Sequence, residues 1–205
     1  MNPNHCPKCG ALGHWMTGVH FDHQMKCNPC DNIWEPLEIK MMIKYVVGDA
    51  TDPQGPGKKI IVHCCNDEGG WGSGFVLALD KRWMAPGAYY RRWAQVGRLC
   101  DAPFKLGQVL VVPISGTNIG VANLIGQSGC GDYYGLPPVR YGAVEEGLIR
   151  LREKMRDSAW SLHMPRMCCG LAGGNWAEIE KIIERVFKDS SVPITIYDLP
   201  ENSSK

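Results

Sequence analysis

The sequence predicts an α/β protein, a layered mixed sheet flanked by helices, with a small zinc ribbon ahead of it. Three observations carry that expectation. Two Cys-x-x-Cys pairs, Cys6/Cys9 and Cys27/Cys30, stand within the first 30 residues at the spacing of a four-thiolate metal site. From Met41 onward, short β-branched runs alternate with 3.6-residue apolar patterns, as in strands interleaved with helices. Two glycine-rich stretches, 69–74 and 170–174, each lie between a strand-like run and a helical one. The expected organisation is a ribbon over 1–35, a linker over 36–40 and the α/β domain over 41–205.

In the ribbon each knuckle must turn tightly so that two thiolates reach one ion, and Gly10 supplies backbone freedom after the first. Trp15–Phe21 reads as a short strand, and Trp34 follows the second knuckle as a ring to pack over the metal. Without a metal, a segment of this size lacks a core to hold it folded. His5, His14, His20 and His23 are near in sequence but suit surface or packing roles. Four thiolates close the coordination sphere, so Cys6, Cys9, Cys27 and Cys30 predict structural zinc and no catalytic metal.

In the larger part, Ile43–Val47 reads as a strand ending at Gly48-Asp49, and Lys59–His63 as a second after the turn-rich 52–57. The segments 73–84 and 88–96 read as helices, with Pro86 separating them. Strands follow at 108–113 and 120–125. The helix expected over 140–156 carries Tyr141, Val144, Leu148, Leu151 and Met155 on one face. Trp160–Met164 is a further strand. Asn175 is a candidate N-cap for a helix over 175–188, and Ile194–Tyr197 closes the sheet.

Composition narrows the function. The chain has 205 residues, 44% hydrophobic and 21% charged, with a formal charge of +1, which argues against a broad basic face for nucleic acid. No apolar run approaches the ~20 residues of a membrane span, and Met1-Asn2-Pro3-Asn4 begins no signal peptide. The expectation is a cytoplasmic protein without a membrane partner. Ten cysteines without a secretion signal are read as thiols in a reducing compartment.

Both glycine loops offer backbone N–H groups and a following helix N-terminus to an anion. Neither is a Walker loop, since no Gly-Lys-Ser/Thr occurs. Together they suit a diphosphate held without lysine or magnesium.

Four motifs, in order, resemble the macrodomain family over roughly residues 41–199. They are Val47-Gly48-Asp49-Ala50-Thr51, the Asn66 to Gly74 loop, Pro165-Arg166-Met167-Cys168-Cys169-Gly170-Leu171, and the closing 194–198 strand. The likeness is greatest to the branch containing terminal ADP-ribose–protein glycohydrolase and the yeast-type ADP-ribose-1″-phosphate phosphatase. The resemblance implies ADP-ribose, or an ADP-ribosylated macromolecule, as the ligand. It implies that Asp49 accepts the adenine amino group, with the Ala50 backbone beside it. It places Asn66, Gly72, Ser73, Gly74 and Phe75 around the distal ribose and nearby phosphate, with Gln127, Ser128 and Pro165 at the site. Cys168, Cys169, Gly170, Leu171, Ala172 and Gly173 would wrap the diphosphate.

The sequence departs from that branch where its chemistry lies. The lysine and the aspartate of the terminal glycohydrolase match Gln127 and Ala172 here. An amide forms no Schiff base, so lysine catalysis is closed to this chain. Hydrolysis would then use a water, with Asp67 as first choice of base, Glu68 as second, and Asn66 and Ser128 as orienting groups. Cys64, Cys65, Cys168, Cys169 and His63 read as core residues. The alternative is a non-catalytic ADP-ribose reader whose ribbon docks a partner protein or nucleic acid.

Overall fold

The computed structural model describes residues 5–9, 11–15, 25–34, 43–131, 135–156 and 159–200, apart from the side chains of His14, Trp15 and Trp34. Gly10, His20, His23, the 16–21 part of the expected ribbon strand and the expected 36–40 linker lie outside the described residues. So does any packing by Trp34. The chain divides into two compact units, Met1–Lys40 and Met41–Lys205.

Among its described residues the smaller unit has three two-residue strands, β1 (His14–Trp15), β2 (Met25–Lys26) and β3 (Ile33–Trp34), antiparallel in the order β1-β2-β3. Too short to hold a sheet by themselves, they frame the two cysteine turns.

The larger unit is built on a six-stranded mixed sheet in the order β4-β11-β10-β5-β9-β8. Its members are β4 (Ile43–Val47), β5 (Lys58–Asn66), β8 (Val109–Pro113), β9 (Ile119–Gln127), β10 (Trp160–Pro165) and β11 (Ile194–Asp198). All neighbours are parallel except β8, which pairs antiparallel with β9. Four helices cover it: α1 (Phe75–Arg82), α2 (Ala85–Val96), α3 (Tyr141–Met155) and α4 (Trp176–Phe187). A short pair, β6 (Arg98–Leu99) and β7 (Ala102–Pro103), follows α2.

The sequence pattern explains which strands are central. Ile60, Ile61 and Val62 of β5 are all buried, the unbroken apolar run of a parallel strand covered on both faces. Ile60 and Val62 pack with Leu124, Leu162 and Met164 against α3 and α4. Ile61 points the other way, towards Leu79 of α1, while Leu110, Val112 and Ile125 meet Tyr90 and Trp93 of α2. The expected layered sheet flanked by helices is what the chain forms.

Two local readings need correction. Pro86 does not separate two helices; it stands in the first turn of α2, which begins at Ala85. A proline fits there because the first-turn N–H has no intrahelical partner to lose. Strand β5 runs three residues past His63, to Asn66, because pairing with β9 continues through Cys64 and Cys65. Asn175 does cap α4, its side chain accepting from the Ala177 N–H at 2.9 Å.

Candidate functional site

The parallel strands β5 and β10 end at the same edge of the sheet, so the loops that follow them meet there. They enclose a cleft of about 310 Å³, within the usual range for small-ligand sites. From the first loop, Asn66, Gly72, Ser73, Gly74 and Phe75 line it. Pro165, Cys168, Gly170, Leu171 and Ala172 line it from the second, and Gln127 from the end of β9.

Both loops present unused backbone donors. The N–H groups of Gly72, Ser73 and Gly74 donate to no acceptor among the described residues, nor do those of Gly170, Leu171 and Ala172. Gly74 sits at φ 75° and leads into α1, whose first turn carries no side-chain cap and no acidic residue. That positive, open helix end favours an anion. The second loop is held by Gly174 N–H to Cys168 O at 2.7 Å and Val139 N–H to Ala172 O at 3.1 Å. Cys168 itself lies at φ 65°, a conformation side chains rarely adopt, imposed by the tight turn.

Asn66 is committed to its own loop. Its Oδ1 accepts from the N–H of Glu68 at 3.0 Å and of Gly70 at 2.8 Å, and from the Tyr90 hydroxyl at 3.0 Å. Its Nδ2 donates to Gly70 O at 2.7 Å. Asp67 and Glu68 do not line the cleft. Asp67 Oδ1 accepts from the Gly129 N–H at 2.8 Å, tying the carboxylate to the turn beyond Gln127. Gln127 Nε2 donates to Gly129 O at 3.0 Å, so the same turn holds both. Ser128, Cys169 and Gly173 do not line the cleft.

Asp49 and Ala50 follow β4 and lie outside this cleft. Asp49 Oδ1 accepts from both the N–H and the hydroxyl of Thr51, each at 2.8 Å, and Oδ2 faces Arg82 at 3.4 Å. Partial burial opposes its charge, but the two Thr51 donors and Arg82 outweigh it and hold the carboxyl below the usual carboxylate range.

Sequence reasoning passed over several walls of the cleft. His63, Cys64, Cys65 and Trp71 line it, as do Cys130 and Arg166. His63 is buried, with Nε2 2.7 Å from Asn123 Oδ1, and burial pushes its pKa down to about 4. The Cys64 thiol and burial raise Cys168 well above an ordinary thiol, and burial and Glu68 raise Cys130. None of these thiols is poised as a nucleophile. Trp71, bracketed by Gly70 and Gly72, was the one legible signal, since an aromatic inside a glycine loop seldom faces water alone.

In the smaller unit the four cysteine sulfurs lie within 4.8 Å of one another. Cys6 and Cys30 are 3.6 Å apart, and Cys9 and Cys27 3.4 Å. The edge of a tetrahedron with ~2.3 Å metal–sulfur bonds is about 3.8 Å, so the donors fit one ion. Burial opposes charge on all three of Cys6, Cys27 and Cys30; the Lys8 and Cys9 N–H groups lower Cys6, while Cys27 and Cys30 are raised. These four cysteines could hold a metal ion.

No protein-family model matches the sequence. A macrodomain protein from Streptomyces coelicolor is 42% identical with a TM-score of 0.65, covering 77% of this chain and 99% of that one. The ADP-ribose glycohydrolase of Bos taurus is 27% identical over 164 residues, 77% of this chain and 91% of that protein. The chromodomain-helicase-DNA-binding protein 1-like of Mus musculus is 31% identical over 172 residues, 80% of this chain. The match spans only 18% of that larger relative's length. Among the described residues no helix is long and apolar enough to cross a membrane.

Proposed function

Because this chain belongs to the macrodomain family, we propose that its larger unit binds ADP-ribose in the cleft between the two glycine loops and hydrolyses an ADP-ribose linkage. The observation that carries the reading is the paired set of unused N–H donors, Gly72 to Gly74 and Gly170 to Ala172, on one cleft. Backbone donors of that kind hold a diphosphate without a cation. The bovine relative's activity as an ADP-ribose glycohydrolase supports the same ligand.

In this reading Asp49 reads the adenine amino group, its carboxylate already fixed by Thr51. Asp49→Ala should cost ~1.5–3 kcal/mol, about a tenfold to hundredfold loss of affinity, and GDP-ribose should not bind; calorimetry checks both. The charges around the ligand do not change near neutrality, since His63 stays uncharged above about 4 and Asp49 is ionised. Affinity should therefore be flat between roughly pH 6 and 8. It should fall only in acid, as protonation of Asp49 removes the acceptor.

For hydrolysis, water attacks the anomeric carbon as the bond to the linkage atom breaks, Asp67 takes the water's proton, and that proton passes on to the departing linkage atom. Gln127, in place of a lysine, closes the covalent lysine route, and Ala172, in place of an aspartate, removes that carboxylate base. The direct test is incubation with ADP-ribosylated protein and with ADP-ribose-1″-phosphate, followed by detection of free ADP-ribose. A second reading, a reader without turnover, is favoured by one observation: no carboxylate lines the cleft among the described residues. Binding without any release of ADP-ribose would select it.

The smaller unit is assigned a structural zinc held by Cys6, Cys9, Cys27 and Cys30. Bound there, zinc supplies folding energy and no open coordination position. Elemental analysis of fresh protein should find one equivalent. Cys9→Ser should release the metal and loosen the ribbon, while ADP-ribose affinity stays nearly unchanged because residues 41–205 have their own core. The ribbon is then free to serve as a docking module for a protein or nucleic-acid partner, and the chain to act in the cytoplasm.

A further inference from the structure

Gln108, just ahead of β8, lines a second recess that shares no residue with the cleft. The recess has a volume of about 420 Å³ and lies between the β6–β7 hairpin, the start of β8 and the last turns of α3. Gln108 is only 8% exposed, and its side-chain amide has no hydrogen-bond partner among the described residues. No side-chain nitrogen or oxygen among those residues is both fully buried and unpartnered. The amide therefore meets solvent through the recess it lines. Its backbone is fixed, since the Gln108 carbonyl accepts from the Ile125 N–H at 2.9 Å. Such an amide offers a ligand two N–H donors and an acceptor, with little ordering left to be done.

The same recess holds an exposed thiol. Cys100 and Asp101 form the two-residue turn of the hairpin, at φ 47° and 62°, as a tight hairpin of this length demands. The hairpin is clamped: Trp93 Nε1 donates to Ala102 O at 2.8 Å, and Arg98 Nη1 to Asp101 O at 3.2 Å. Charges of both signs line the recess with it. Arg150 is already matched, to Glu146 at 2.7 Å. Asp101, Glu153 and Lys154 make no ion pair among the described residues. An unpaired ammonium, two unpaired carboxylates and an open amide complement a small zwitterion. The other exposed thiols stand elsewhere: Cys9 in the four-cysteine cluster, and Cys130 at the cleft, where burial and Glu68 raise it.

We propose that Cys100 is a site of mixed-disulfide formation with a small zwitterionic thiol, of amino-acid to tripeptide size, seated in this recess by Gln108 and Lys154. The co-reactant is the disulfide of that thiol. The Cys100 sulfur, as thiolate, attacks one sulfur of it; the old S–S bond breaks as the new one forms. The departing thiolate takes up the proton that Cys100 released. The protein thiol is thereby oxidised and half of the small disulfide leaves reduced, so an excess of free thiol reverses the step. The site is independent of the ADP-ribose reading.

The test treats the full chain with oxidised glutathione, with cystine and with hydroxyethyl disulfide, which carries no charge. Intact mass and peptide mapping follow the adduct at Cys100. Each rate is divided by that of the same reagent with a short unstructured peptide holding one cysteine, which removes intrinsic reactivity. On that scale at least one zwitterionic reagent should be about tenfold faster than hydroxyethyl disulfide, and the faster of the two gives the size of thiol the recess fits. Gln108→Leu and Lys154→Ala should each abolish most of that preference while the hydroxyethyl disulfide rate stays unchanged. Cys100→Ser should remove the fast adduct altogether. Equal scaled rates for all three reagents in wild type overturn the proposal, because the thiol is then merely exposed. Preference surviving in either folded variant overturns it too, as does faster modification of Cys130 than of Cys100. Lys154 is exposed, so its variant decides the matter even where leucine at 108 disturbs the fold.

Discussion

Gly170→Val and Gly72→Val should each lower ADP-ribose affinity by at least about a hundredfold, ~2.7 kcal/mol, while the melting temperature stays where it was. The two halves of that expectation come from one geometric fact. A Cβ added at either glycine meets no protein atom within 4 Å, and neither residue has a positive φ. The protein therefore tolerates the side chain. The new carbon atoms enter the space lined by the unused N–H donors, which is where the diphosphate and ribose are assigned. Gly174→Ala supplies the contrast. Its Cβ would stand 2.6 Å from the Cys168 carbonyl oxygen, so the loop must open at a cost on the order of 1–3 kcal/mol, and melting should drop by several degrees. Calorimetry beside thermal denaturation distinguishes the two classes. Unchanged affinity in both Gly170→Val and Gly72→Val would move the ligand out of this cleft.

Asp67→Ala should cut turnover by at least about a hundredfold, the low end of general-base assistance, with ADP-ribose binding retained. Because Asp67 also anchors the Gly129 N–H, alanine removes a loop contact together with the base. Asp67→Asn keeps an oxygen for that N–H and removes only the proton acceptor, so it should be as inactive as alanine and better folded. If asparagine restores the rate, the residue holds the turn and does not take a proton. Little change in both Asp67→Ala and Glu68→Ala would leave hydrolysis assisted by the ligand's own diphosphate, with the loops supplying only position.

What the sequence revealed, and what it hid, divides by range. The Asn175 cap was legible because the bond it makes reaches only to Ala177. The α3 face was legible because Val144, Leu148 and Leu151 repeat at helical spacing, and all are fully buried. The glycine loops announced themselves because each follows a strand. The pairs β6–β7 and β2–β3 escaped because two residues have no period. The amide of Asn66 looked available until Tyr90, from α2, was found to share its oxygen. The seat of Arg166 is assembled from β4, α4 and β11. No local pattern records a contact among three elements so far apart in the chain.

The placement of β4 sets the order in which this protein can be completed. Among the described residues strand β4, at the sheet's edge, pairs only with β11, in the register Ile43 to Ile194 through Val47 to Asp198. During synthesis β4 emerges long before β11, and until then its hydrogen-bonding edge has nothing to join. Non-local parallel pairing of this kind closes late and slowly. The β5–β9–β8 block can gather first, and with it the loop from Asn66 to Gly74. The Asp49 turn and the Arg166–Asp198 pair wait for the last strand. A nascent chain stalled before Ile194 would thus carry a formed ribose end without an adenine end, and an unpaired β4 exposed to any other strand edge it met.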